Sequence, residues 1–590
     1  MLSVGVNGKN GWYTCAILLF ALLYTLAKFP GLESHSGYFG MAYAVIHPDS
    51  FAGDITERFH PAMISLYTLL VKISGDLWLD DRFNIIVYFI LTVICFLGID
   101  KIAQLLGVRN PLGRLAVLSV LLVRHMFVDN VAHIIDAVCY RPSTYACPFG
   151  IWLGYFLLKG QSKRAVILLS CFLVAVSFKN GWFPFLVAGI FILREYFSMR
   201  WSTISKLAAV TMFIIFSGYY IWASSQNKIL ENALLFDHTM INTEDSEANP
   251  FMDGLGPFFY IPFIFVIYFV KFSDTKLNLR IRLICAISLI IYILGGVYYT
   301  YTPNPFKIPF FVAMAVSRST WWTQLLGFTV LSSYLIRSME GASPRRKLML
   351  MFPFLILYLF PFFEDVSLRH FFEQHTLYCT PGLIKKSMAL ILSSVSCYVI
   401  YHLHTARKFP LLRVDSQQLL KYLLLIPFIL TTFSIYAFKT FKRLPYLNYL
   451  CQYGVMGDAP GAKWVGVNEF FRKETDKKAT VLAFSLVEKN FRIDTSLRIR
   501  TGKTMPLANN LITFYFDYKK RLMQDERKKI GTALTESWNK CDIPGIGQAL
   551  SLLENPDYLV VPSARLCDVS PLSYKPVKGI NSFTIFKKVN

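Results

Sequence analysis

The sequence predicts a multi-pass α-helical membrane protein of about 13 transmembrane helices, followed by a C-terminal extracytoplasmic α/β domain. Three observations predict it. Hydrophobic residues make up 54% of the 590 positions, and the mean hydropathy of +0.44 is too high for a soluble globular chain. Apolar runs of spanning length recur through the first 440 residues. Between them the basic residues collect in every second loop, which by the positive-inside rule puts the N-terminus in the cytoplasm and the last 150 or so residues outside.

The first span is 12–30, an uncleaved anchor rather than a signal peptide because no small-residue cleavage site follows it. It leads into an outer loop carrying Glu33, Asp49, Asp54 and Glu57. Residues 62–75 are too short to cross and read as a helix lying in the outer interface. Spans follow at 83–104, 114–127 and 145–159. A hairpin of two short helices, 165–178 and 182–196, breaks at Lys179-Asn180-Gly181 near the outer surface. The chain crosses again at 206–224, and a long acidic loop, 225–257, follows outside. Further spans fall near 258–272, 283–300, 322–337, 348–363, 387–403 and 418–438. The inside loops are all basic, among them GVRNPLGR, IRSMEGASPRRK and HLHTARKFPLLR. No internal repeat is evident.

Beyond residue 440 the pattern changes. Helical periodicity in AKWVGVNEFFRKETDKK and LMQDERKKIGTALTESWNK alternates with β-like runs ATVLAFS, DYLVVP and SFTIFKK, which predicts a small α/β domain. The chain therefore divides into a helical membrane domain, 1–440, and an outer domain, 441–590. Cys451, Cys541 and Cys567 fall in the latter, where a disulfide is permitted but its connectivity stays open. The net charge of +23 would suit nucleic acid on a soluble protein, but here it sits in short loops between spans. Membrane lipid, and no nucleic acid, is the expected partner.

Candidate chemistry lies on the outer side. Eight of the 10 histidines (His35, His47, His60, His125, His133, His238, His370, His375) are predicted there, as are most of the loop carboxylates. The plain reading is that outer loops exclude Lys and Arg and tolerate neutral histidine; the functional one is a polar cavity. Cations also appear where the topology disfavours them: Arg318 before Trp321-Trp322, Lys179 at the hairpin break, Arg141 before Pro142, and Lys385-Lys386 at a span start. Snorkelling to water explains such residues cheaply. A phosphate or pyrophosphate is the ligand that would use them. No P-loop, His-Glu-x-x-His zinc motif, nucleophile elbow or kinase signature is present, so an activated substrate has to arrive within the membrane.

With these features in place, the chain resembles the polytopic C-type (GT-C) glycosyltransferases, which use polyprenyl-phosphate-linked sugars. It is most similar to an uncharacterised bacterial branch with a C-terminal periplasmic α/β domain. The resemblance rests on the span layout and on the run His47, Pro48, Asp49, Phe51 and Asp54 in the first outer loop. It also rests on Arg318 heading a late span, and on an outer domain opening with Trp464, the ATVLAFS run and FRIDTSLRIRTG with Arg492 and Arg498. Two positions differ from the superfamily pattern: Glu33 stands where an aspartate is usual, and Lys179 where a histidine is expected.

The resemblance implies transfer of a sugar from a lipid-linked donor to a lipid, glycan or protein acceptor at the outer face, with loops 31–82 and 225–257 forming that face. Glu33 or Asp54 would act on the acceptor hydroxyl, and Arg318, Lys179, Arg141 and Lys385 on donor phosphate. His35, His47 and His238 would relay protons or hold a divalent metal, which some members use and others do not. The implied location is the bacterial inner membrane, with the endoplasmic reticulum as alternative. Two rivals remain: a flippase for lipid-linked sugar, which needs mid-span charge and alternating access, and a non-catalytic envelope scaffold.

Overall fold

The computed structural model describes residues 11–28, 66–123, 142–160, 163–197, 270–301, 321–340, 342–359, 416–453, 479–487, 490–493, 518–580 and 582–589, with isolated positions near 46, 266 and 466–476. In chain order the helices are α1 (Gly11–Lys28), α2 (Leu66–Ser74), α3 (Asp81–Leu105), α4 (Pro111–Val123), α5 (Pro142–Lys159), α6 (Lys163–Val176), α7 (Phe178–Phe197), α8 (Thr275–Tyr301), α9 (Trp321–Met339), α10 (Pro344–Leu359) and α11 (Ser416–Tyr453). Strands β1 (Val481–Val487) and β2 (Asn490–Ile493) follow, then α12 (Tyr518–Lys540), α13 (Ile543–Leu552), β3 (Tyr558–Pro562), β4 (Tyr574–Ile580) and β5 (Phe583–Lys588). Two units result: one holds the described helices from residue 87 to 443 together with α1, the other holds residues 66–86 and 444–589.

Among the described residues, three helices are long and apolar enough to cross a membrane: Gly11–Lys28, Asp81–Leu105 and Thr275–Gly295. At 1.5 Å per residue the 25 residues of α3 reach about 37 Å, more than a hydrocarbon core. These helices also expose large apolar side chains: Leu18, Leu19 and Leu22 on α1, Ile86 and Ile90 on α3, Ile290 and Leu294 on α8. Water would not tolerate that much apolar surface, so the helices suggest membrane association.

One end of the helical unit is held by polar contacts. In α3, Asp100 is 7% exposed. The Tyr13 hydroxyl donates to its Oδ1, the Gln104 amide donates to Oδ2 at 2.6 Å, and Arg114 pairs with it at 3.0 Å. The Arg114 guanidinium also lies 4.5 Å over the Tyr13 ring. One carboxylate thereby ties the start of α1 and the start of α4 to the end of α3.

The neighbouring helix ends are sealed by arginines. α3 terminates at Gly107 (φ +92°), whose successor Val108 donates back to the Ala103 carbonyl at 3.0 Å, a left-handed C-terminal cap. A Cβ there would sit 3.2 Å from Arg337 Cδ. Arg337, from the last turn of α9, reaches Ser273 Oγ at 3.4 Å and stacks over Phe272. Gly160 (φ +67°) ends α5 in the same way, and Arg280 of α8 donates to the Leu158 carbonyl at 3.2 Å. Guanidinium groups across exposed carbonyl ends complement the helix dipole.

In the second unit α2 buries Tyr67 and Val71 and continues into a 3-10 turn, Gly75–Leu79, whose Trp78 packs on Tyr67 (ring centroids 5.6 Å). Leu69, Ile73 and Leu77 stay exposed along one stripe. Arg82 clamps Asp80 at 2.7 Å just before α3. Burial alone would raise the Asp80 carboxyl, but the hydrogen bonds from Arg82 outweigh it and hold the group below the usual carboxylate range.

The sheet runs in the order β2-β1-β3-β5-β4. β1 and β3 are parallel and the other neighbours antiparallel, so the chain must cross over between β1 and β3; α12 and α13 lie in that connection. Asp557 and Thr480 lock the starts of the two parallel strands through three hydrogen bonds of 2.8–2.9 Å. Phe484 and Trp538 pack at 4.9 Å on one side of the sheet, and Phe471 and Tyr558 at 5.4 Å on the other. Edge strand β4 is blunted by Lys575, Pro576, Lys578 and an irregular register at 576–578. Cys541 and Cys567 form a disulfide that ties the end of α12 to the loop after β3.

Two outcomes test this packing. Asp100→Ala leaves the Arg114 charge without its buried partner, an expected loss of about 3–5 kcal/mol that appears as a lower thermal midpoint of the detergent-purified chain. Replacing Cys541 and Cys567 by serine should cost about 3 kcal/mol, and non-reducing peptide mapping should recover both cysteines in one cross-linked fragment.

Candidate functional site

Among the described residues, α5, α6, α7 and α9 meet in closely packed contacts. α6 and α7 form the expected hairpin, but the break falls at Ser177 rather than at 179–181. Helical geometry resumes at Phe178, so Lys179 and Asn180 stand in the first turn of α7. The Gly181 N–H donates to the Ser177 carbonyl at 2.8 Å, carrying the turn without interruption.

Gly181 sets how near the two arms come. A Cβ built there would lie 2.4 Å from the carbonyl carbon and oxygen of Leu173 and 2.6 Å from the Val174 nitrogen. These are backbone atoms and cannot swing aside. The glycine that looks like a helix breaker in the sequence is therefore a contact point between backbones.

The next turn of α7 buries Trp182 and Phe183. Phe183 meets Trp322 of α9 edge to face, with ring centroids 6.1 Å apart. Trp322 is fully buried, and its indole N–H donates to the Gly150 carbonyl of α5 at 2.7 Å. α5 contains Pro148; a ring at that position removes a backbone donor. One turn further on, a Cβ at Gly154 would lie 2.7 Å from Leu326 Cδ2, so α9 also packs tightly against α5. Phe149 and Phe172 join α5 to α6 at 4.7 Å. The beginnings of α7 and α9 are thus fixed against a common helix.

Of the residues singled out from the sequence, Lys179 is placed on this frame by its backbone. Glu33, Asp54, Arg318, Arg141, His35, His47, His238 and Lys385 lie outside the described residues. So does the loop 225–257. In the chain, Arg318 precedes the first residue of α9 by three positions and Arg141 immediately precedes α5. Among the described residues no group of three or more His, Cys, Asp or Glu side chains is placed to hold a metal ion.

The sequence reading passed over two features of this frame. The Trp322–Gly150 bond joins residues far apart in the chain and leaves no local signal. A tryptophan pair at the head of a span suits an interfacial anchor, whereas Trp322 is a buried strut. No family model matches this chain, and no curated protein sequence matches it.

Gly181→Ala should force the hairpin arms apart and lower the thermal midpoint by several degrees, in line with a loss of about 1–3 kcal/mol for an overpacked contact. Gly189→Ala, in the same helix with open space at its Cβ position, should leave the midpoint unchanged in the same melting assay.

Proposed function

We propose that the chain is an integral-membrane glycosyltransferase of the GT-C type. It moves a sugar from a polyprenyl-phosphate-linked donor to a lipid, glycan or protein acceptor at the outer membrane face. The observation that carries this reading is the Phe183–Trp322 contact. It joins the second turn of α7, one turn beyond Lys179, to the first turn of α9, whose first residue Arg318 precedes by three positions in the chain. Lys179 in the first turn of α7 and Arg318, three residues ahead of α9 in the chain, are the cations nearest in sequence to these two fixed helix starts, and cations suit the phosphate of a lipid-linked donor.

Orientation belongs to the same proposal. The Asp100, Gly107, Arg337 and Arg280 contacts gather the basic helix ends together, as expected of a cytoplasmic face. The opposite ends, including the hairpin tip, then face outward. With about 13 spans in all, the chain delivers residues 441–590 outside as an extracytoplasmic domain. The Cys541–Cys567 disulfide supports that side, because such bonds persist in oxidising compartments.

In the proposed reaction a carboxylate, Glu33 or Asp54, takes the proton of the acceptor hydroxyl. The acceptor oxygen attacks the anomeric carbon. The bond from that carbon to the phosphate oxygen breaks, and its electron pair stays on the leaving phosphate. Arg318 and Lys179, with Arg141 and Lys385 as further cations of the same face, stabilise the charge that grows there. His35, His47 and His238 would move protons or line the acceptor side, and loop 225–257 would exclude water. The bacterial inner membrane is the proposed location.

Donor turnover in proteoliposomes tests the reading. Arg318→Gln should cut transfer by about 100-fold while the thermal midpoint stays put. Glu33→Gln or Asp54→Asn should abolish it, identifying the base. Full activity in all three variants would leave the scaffold reading, and transbilayer movement of donor without transfer would leave the flippase.

A further inference from the structure

Helix α8 carries two cations whose charge nothing in the protein answers. Among the described residues it is the least enclosed of the three candidate spans: 29% of its apolar stretch is buried, against 39% for α1 and 50% for α3. Its packed face runs through Leu277, Ile281, Ile284 and Ser288. Its other face begins at Leu279 and continues through Ile290, Ile293 and Leu294, all between 44% and 61% exposed. With 3.6 residues per turn these four lie within about 100° of one another. They form one apolar stripe that suits lipid rather than water.

The stripe opens between two charges. Lys276 stands three residues before Leu279 and Arg282 three residues after it, so all three share one row along the helix. The cations are about 9 Å apart along the axis. A long helical side chain covers the turn before its own Cα, so Arg282 leans over Leu279 and towards Lys276.

α8 contains no Asp or Glu. The Asp274 carboxylate, just ahead of it, is occupied as a cap: it accepts from the backbone N–H groups of Lys276 and Leu277 at 2.8 and 3.2 Å. Among the described residues neither Lys276 nor Arg282 forms an ion pair. The Arg282 Nε is buried and meets no acceptor. Arg280, which falls between them in the chain, turns instead to the Leu158 carbonyl and takes no part.

Snorkelling to water accounts for a lysine at a helix end at little cost. It does not account for Arg282, whose Nε is closed to water and whose backbone stands about two turns inside the span. A soluble polyanion would leave the apolar stripe bare. A phospholipid matches both parts, with phosphate at the cations and acyl chains along the stripe.

We propose that Lys276 and Arg282 hold the phosphate of an anionic phospholipid of the phosphatidylglycerol class. Its acyl chains lie along Leu279, Ile290, Ile293 and Leu294. The site rests on α8 lying in a membrane. It uses neither the direction in which the chain crosses nor the sugar-transfer reading.

Native mass spectrometry of the full chain, released from mixed micelles with equal phosphatidylglycerol and phosphatidylcholine, tests it. The native sequence should retain phosphatidylglycerol with at least about tenfold preference. Lys276→Gln, at an exposed position, should lower that preference about fivefold. Lys276→Gln combined with Arg282→Gln should bring it to within about twofold. Arg282→Lys keeps the charge and should keep the preference. Arg109→Gln, an exposed cation in the α3–α4 turn, should leave it unchanged. Neither millimolar inorganic phosphate nor an equal amount of polyprenyl phosphate should displace the lipid. No headgroup preference, an unaltered preference in Lys276→Gln and the double variant, an equal loss in Arg109→Gln, the double variant's loss reproduced by Arg282→Lys, or displacement by either phosphate would each overturn the proposal.

Discussion

A carboxylate inside an apolar bundle has to be satisfied where it sits, because neither lipid nor packed side chains can replace its hydration. Asp100 meets that demand with the Tyr13 hydroxyl, the Gln104 amide and the Arg114 guanidinium. The relative positions of α1, α3 and α4 follow from it. Once those three are fixed, the Gly107 cap places the α3–α4 turn under Arg337 and so seats α9. Arg337 reaches the start of α8 through Ser273, and Arg280 carries the chain of contacts on to the end of α5. A polar seam at one end thereby positions a frame whose other end holds the hairpin tip.

The two ends of the helical unit are built from different physics. At the seam, cations and carbonyls face each other at helix termini and the contacts are directional. At the hairpin, the contacts are steric: Gly181 against the Leu173 backbone, Gly154 against Leu326, Phe183 against Trp322. Steric contacts of this kind hold backbone positions without using polar side chains.

Much of this was legible in the chain. The span at 83–104 coincides with α3 because its apolar run is long and flanked by charge. The runs ATVLAFS, DYLVVP and SFTIFKK coincide with β1, β3 and β5, where β-branched and aromatic residues cluster. β4 escaped notice because YKPVKGI is an edge strand, with Pro and Lys in place of apolar alternation. The hairpin break was misplaced by two to four residues, since Asn-Gly is a turn signal by composition while Gly181 serves close packing in the fold. Three cysteines left the disulfide open until the fold brought Cys541 and Cys567 to a Cα separation of 5.5 Å. Pairings such as Tyr13–Asp100 and Trp322–Gly150 have no local signature at all. The candidate site residues other than Lys179, both proposed catalytic carboxylates among them, fall outside the described residues, so sequence reasoning alone carries them.

The central claim is that the frame of α5, α7 and α9 presents its cations to a lipid-linked phosphate. A density map of the purified chain with a polyprenyl phosphate added tests it most directly. The account predicts phosphate density beside Lys179 and Arg318, at the hairpin end of the bundle. Phosphate bound midway along the helices, or at the Asp100 end, would contradict it.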